Sequence, residues 1–270
     1  MSNEGIFELF KNEGFYIAKN VVEKNDIEKI LESISRVYFK HHKDSEFLKN
    51  EKPWNDLKFQ KEIIKFRERN PDDFSIVYDS CQANAPLTQL VSSKKIIEVA
   101  SKLLQCKEID LSVSGNMIRM DTPNDTRNKT AWHQEIAFVR NQGLVLWIPL
   151  VEITNDIGPL HILEKSHANG EIIVERNNIY DYKTSRVSKT EIPESELNKY
   201  NEKAIIVNKG DALFFDTNLI HKSGDNITEK IRFSCQTRIS NIISEDFAAY
   251  RTGMNFNPHS LERLNRQVYD

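Results

Sequence analysis

Near Ile109 the chain changes character, and that change limits the folds open to it. Before it, apolar residues recur at helical spacing. Ile27, Ile30, Leu31, Ile34 and Val37 fall on one face of a helix that Asn25 or Asp26 can cap and that runs to about His41. Ser93 can cap another, with Ile96, Ile97, Val99, Ala100, Leu103 and Leu104 as its apolar side. Gly5 to Asn12 reads as a short amphipathic helix and Phe15 to Ala18 as a strand. After Ile109 the apolar segments are short and bounded by Gly, Pro, Asn or Asp. Strands are expected at Leu111–Met120, Glu135–Arg140, Leu144–Pro149, Ala204–Val207, Ala212–Phe215 and Arg232–Ile239. A run of this kind predicts an antiparallel jelly roll. The expected architecture is mainly β with flanking helices, in one domain over 1–270. It comprises a helical layer (1–108), a jelly-roll core (109–240) with a polar rim insertion (169–203), and a C-terminal extension (241–270).

Charge and hydropathy exclude several classes of protein. Lys and Arg total 37 against 40 Asp and Glu, a net charge of -3, without the basic excess of a nucleic-acid binder. Mean hydropathy is -0.55, and the densest apolar run, Gly143 to Val151, is far too short to span a bilayer. Met1 to Gly14 carries Glu4, Glu8 and Glu13 and lacks the basic start of a secretory signal. Cys81, Cys106 and Cys235 are odd in number and widely spaced, which predicts reduced thiols in a cytoplasmic protein.

The chemistry concentrates in two places. His133-Gln134-Glu135 opens an expected strand, where residues i and i+2 share a face and can chelate one ion. About one such triplet is expected by chance, and the other, His42-Lys43-Asp44, lies at the end of an expected helix where i and i+2 diverge. His221 follows a turn and strand starting at Gly210, and residues 221–226 read as a turn. Two imidazoles and one carboxylate occupy one face of an octahedral ion and leave the other open, as in non-haem Fe(II) oxygenases. On spacing alone, a surface histidine at 221 fits equally well. Arg232 stands eleven residues further on, and its guanidinium can grip a carboxylate with two hydrogen bonds or serve as an ordinary ion-pair partner.

In company, these residues resemble the phytanoyl-CoA dioxygenase-like Fe(II)/2-oxoglutarate oxygenases. Phe10 to Val22 resembles the family's opening helix, Gly and strand. Trp132-His133-Gln134-Glu135 is similar to its W-H-Q-D motif. Trp147 to Leu150, Asn155 to Leu160 and Lys165-Ser166-His167 resemble its W-x-x-L, N-G-x-L and G-S-H segments. Gly210 to Phe215 and His221 to Gly224 resemble G-D-x-x-x-F and H-x-S-G. The resemblance implies a double-stranded β-helix in which His133, Glu135 and His221 bind iron. It further implies that Arg232 and Ser223 hold the far carboxylate of 2-oxoglutarate, with Trp147 and Met117 lining its pocket, and that O2 is the oxidant. His167 would not be a ligand. Two positions depart from the pattern: Glu135 replaces the usual Asp, and Lys165 replaces a Gly. A carboxylate at 135 argues against a halogenase, which needs space there for halide.

The implied reaction oxidises a C–H bond, with hydroxylation as the expected outcome and succinate and CO2 as co-products. On strand alternation, Arg119 shares a face with Met117, and Ser234, Gln236 and Arg238 share one with Arg232, which suggests a polar or anionic small-molecule substrate. Structural ion pairing accounts for the two arginines equally well. The alternative is a cupin-type sugar-binding protein or isomerase without oxygenase activity, which has no need of the step from His221 to Arg232.

Overall fold

The structure is a computed structural model that describes residues 3–82, 84–125, 129–136, 142–173, 192–245 and 247. Its N-terminal third is helical apart from one strand. Helix α1 (Asn3–Glu13) leads into strand β1 (Phe15–Ala18), followed by α2 (Lys24–His41), α3 (Leu57–Arg69), α4 (Pro71–Gln82), α5 (Ala85–Val91) and α6 (Lys94–Leu103). Local chemistry sets several boundaries. Asp56 accepts from the Lys58 amide at the start of α3, and Asn84 accepts from the Leu87 amide at α5, where Pro86 costs no hydrogen bond. At α2 the N-cap position is Glu23, so Asn25 and Asp26 lie inside the first turn, where Asp26 favours the helix dipole. Ser93 occupies the N-cap of α6 but makes no capping bond.

The remaining elements are β2 (Leu111–Asp121), β3 (Leu144–Pro149), β4 (Leu160–Leu163), α7 (Glu194–Leu197), β5 (Glu202–Ile205), β6 (Ala212–Asp216), β7 (His221–Ser223) and β8 (Arg232–Asn241). They form two antiparallel sheets, one ordered β1-β6-β3-β8-β2 and the other β5-β4-β7. His133 adds a single bridge to β7, pairing with His221.

Alternation along the central strands separates two cores. On β3, Leu144, Leu146 and Ile148 pack with the helices, together with Phe214 of β6 and Phe233, Cys235 and Ile239 of β8. The opposite side of β3, Val145 and Trp147, packs with Leu213, Phe215, Leu160, Ile162 and Ile205 between the sheets. A strand buried on both faces reads as a continuous apolar run, and β3 is buried at all six positions. The same alternation turns Arg232, Ser234, Gln236 and Arg238 of β8 to the side away from the helices, opposite Asp121, Arg119, Met117 and Ser114 of β2 respectively.

Several expectations need correction. The protein is not mainly β: helical residues outnumber strand residues among those described, because α3, α4 and α5 fill 57–91 while most strands have six residues or fewer. The strand expected over 135–140 does not begin at Glu135, which lies in a turn, with Ile136 helical; residues 137–140 lie outside the described residues. Residues 221–223, read as part of a turn, form β7, because β4 supplies a pairing partner. Strand β4 carried no sequence expectation at all. Of the rim insertion, 174–191 lies outside the described residues, as does nearly all of the C-terminal extension.

Candidate metal and co-substrate site

His133 and His221 are direct antiparallel partners that exchange backbone hydrogen bonds of 3.1 and 3.0 Å. Their rings therefore lie side by side, 4.2 Å between centroids. Each Nδ1 sits 2.8 Å from a backbone carbonyl, Ala131 for His133 and Leu219 for His221. A carbonyl only accepts, so Nδ1 carries the proton in both rings and Nε2 is left with its lone pair. Burial lowers the His133 pKa against the opposing pull of Glu135. It lowers that of His221 further, with His133 adding to the effect. Both rings are thus neutral at pH 7, the form that binds metal.

Glu135 completes the cluster. One donor atom from each of His133, Glu135 and His221 lies within 4.8 Å of the others. Glu135 is buried, and its Oε2 is 3.9 Å from His133 Nε2. Gln134, between the two candidate ligands, faces away and fixes the local chain. Its side-chain amide donates to the Gly170 and Asn218 carbonyls at 2.8 and 2.6 Å, and its carbonyl accepts from the Ile172 amide at 2.8 Å. Trp132 packs with Ile192, Leu197 and Tyr200, so the described ends of the rim insertion rest beside this segment.

Arg232 is buried at the start of β8, opposite Asp121. Asp121 Oδ2 accepts from its Nε at 3.1 Å and its Nη2 at 2.6 Å, while Nη1 donates to the Gly158 carbonyl. Gly158 has φ +84, and a Cβ there would stand 2.8 Å from the Gly224 carbonyl, so this position of the Asn155–Leu160 segment requires glycine. Arg119 also grips Asp121, at 2.9 Å through Nη2. Burial raises the Asp121 pKa, but the two guanidiniums outweigh it and hold the carboxyl at about 2. Arg119 and Arg232 thus share one carboxylate, and Asp125 also acts on Arg119. Three of the five Arg232 N–H groups have acceptors among the described residues, leaving two for an incoming carboxylate. A cavity of about 280 Å³ lies against Arg232, Arg119, Asp121 and Ser223. Ser234, two residues along β8, has a buried hydroxyl with no hydrogen-bond partner among the described residues. A buried orphan hydroxyl is costly, and a polar ligand would satisfy it. These donors fit an Fe(II) ion and an acidic chelating co-substrate.

The other expected residues distribute as follows. Trp147 is buried between the sheets, and Met117 approaches Gln236, whose amide nitrogen is 3.7 Å from the Met117 sulfur. Ser223 hydrogen-bonds Thr130 at 2.8 Å. Arg238 holds Glu135. His167 bonds the Lys11 carbonyl, far along the chain from the ligands. Lys165 has φ 61, the left-handed conformation that favours glycine. Strand alternation from Arg232 places Ser234 on the same inward face, whereas Asp121 is found only through the β2–β8 register.

The phytanoyl-CoA dioxygenase (PhyH) family matches residues 10–234, and the chain belongs to that family. It is therefore an enzyme of the iron- and 2-oxoglutarate-dependent class. No curated protein matches it in sequence. Among solved structures it resembles the epimerase SnoN in complex with Fe3+, α-ketoglutarate and nogalamycin RO, at 14% identity and TM-score 0.61, covering 95% of this chain and 92% of that one. It also resembles EvdO2 from Micromonospora carbonacea var. aurantiaca complexed with 2-oxoglutarate, at 17% identity and TM-score 0.53, covering 89% and 91%. The non-haem monooxygenase ThoJ shares 15% identity with TM-score 0.55, covering 98% and 95%. At these identities the likeness is one of fold.

Proposed function

We propose that the protein is a non-haem Fe(II)- and 2-oxoglutarate-dependent dioxygenase that hydroxylates a C–H bond of a polar small-molecule metabolite. The observation that carries this reading is the convergence of one donor atom each from His133, Glu135 and His221 within 4.8 Å. His133, Glu135 and His221 would hold the iron through two Nε2 atoms and one carboxylate oxygen. Arg232, with Ser223 and the orphan Ser234 hydroxyl, would bind the far carboxylate of 2-oxoglutarate, and Trp147 and Met117 would wall its pocket. Iron and 2-oxoglutarate together supply the oxidising power, with dioxygen consumed and succinate and CO2 released. The protein contributes orientation and exclusion of water.

The sheet orders support a double-stranded β-helix, with 1–270 as one catalytic domain, and free thiols at Cys81, Cys106 and Cys235 fit a reducing, cytoplasmic setting. No helix among the described residues is long and apolar enough to cross a membrane. Arg119 and Gln236 face the space between the sheets and favour a polar substrate; SnoN, with nogalamycin RO bound, and the monooxygenase ThoJ have the same fold. SnoN is an epimerase, so hydroxylation is the reading to be tested against epimerisation.

The test is anaerobic addition of Fe(II) and 2-oxoglutarate, followed by visible spectroscopy. A weak charge-transfer band should appear in the wild type and vanish in His221→Ala. Folded wild-type protein that binds neither Fe(II) nor 2-oxoglutarate would sink the assignment.

A further inference from the structure

The sequence suggested Arg238 as a substrate group, but the structure commits it elsewhere. Its Nε and Nη2 donate to Glu135 Oε1 at 2.8 and 2.6 Å, and its Nη1 donates to the Gly115 carbonyl at 2.9 Å. Strand β2 breaks register between Ser114 and Met117, and the bulge contains Gly115 at φ +66. The positive φ is what favours glycine in this bulge; a Cβ on Gly115 would stand 3.4 Å from Arg238 Cδ and Nη1, an ordinary contact, so the arginine lies directly over this residue. The guanidinium is thus anchored at one end by backbone and grips one carboxylate oxygen with two donors at the other. The second oxygen of Glu135, Oε2, points towards His133.

We infer that Arg238 is a positioning residue that keeps Glu135 a one-oxygen ligand of the iron. This rests on the metal site proposed above. Glutamate has one more rotatable bond than aspartate and can more readily swing both oxygens onto an ion. A chelating carboxylate would consume a fourth protein-held position. With 2-oxoglutarate taking two positions, an octahedral ion would then have none left for dioxygen. Arg238 prevents this by occupying Oε1 with two charge-assisted hydrogen bonds. The arrangement also accounts for Glu135 at the place of the aspartate in the family motif: the extra length is taken up by a partner on β8.

The test uses Mn(II) alone as probe and counts ion-bound waters by water-proton relaxation. Wild type should retain about three waters per bound ion, the open face of a two-histidine, one-carboxylate site. Arg238→Met should retain about two, because the released Oε1 joins the ion. An unchanged count in folded, Mn(II)-loaded Arg238→Met overturns the inference and leaves the metal site standing. Failure of wild type to bind Mn(II) overturns both. A crystal structure of the Mn(II)-loaded wild type decides the matter without any variant. Oε1 on Arg238 with Oε2 on the ion supports the role, and both oxygens on the ion refute it.

Discussion

Asp121 carries two arginines, Arg119 and Arg232, in a buried setting. Its pKa of about 2 lies below the ordinary value near 3.9, so it stabilises the fold fully above pH ~4 and progressively less as pH falls towards ~2. Asp121→Asn should cost about 3 kcal/mol at pH 7, since it leaves buried cations without their anion. It should also lose roughly 2 kcal/mol less than wild type between pH 4 and pH 2. Urea unfolding across that range measures both, and a mutant acid limb as steep as the wild type's would refute the assignment. At this scale the sequence pointed to His133, Glu135 and His221, whose donor atoms converge, and to Arg232, which is buried. It did not reveal the partners of Arg119 and Arg238, because ion pairing depends on side-chain direction in the folded sheet. Both arginines turn inward as alternation predicted, yet each meets a carboxylate of the chain itself.

Helix α2 shows what the elements contribute. Ile27, Ile30, Leu31 and Ile34 are buried in the core that the helices share with the five-stranded sheet. That is the side of the sheet facing away from the ligands. Ile30→Ala should therefore cost about 2–5 kcal/mol in stability while leaving metal affinity within about twofold at temperatures where the protein stays folded. Thermal melts and Mn(II) titration check the pair of outcomes; a large loss of affinity in folded protein would show that the two faces are coupled. Long periodic elements such as α2 and β8 were legible because each carries enough residues to establish a period. Strands β4 and β7, with four and three residues, carry no such signal, and they exist because they pair with each other. The strand expected at Glu135 failed for the complementary reason: its alternation is real only through His133, after which Gln134 ties the chain to Gly170 and Asn218 and the backbone turns.

For the whole molecule, the candidate ligands come from two segments 86 residues apart in sequence, so an ion would close a long loop. A ligand that binds only the folded state stabilises it by about 2.7 kcal/mol at a hundred times its Kd. For a chain of this size that corresponds to a Tm rise of roughly 5–10 °C. Calorimetry with Mn(II) should show this rise in wild type and none in His221→Ala; equal shifts in both would place the ion elsewhere. The pairing of His133 with His221 gives such an ion one further role. Slipping either segment by one residue would set Gln134 or Lys222 in the partner's place and turn a histidine to the opposite face. A misregistered sheet could not take up metal, so loading would act as proofreading: only chains that had closed the sheet in its correct alignment would become active.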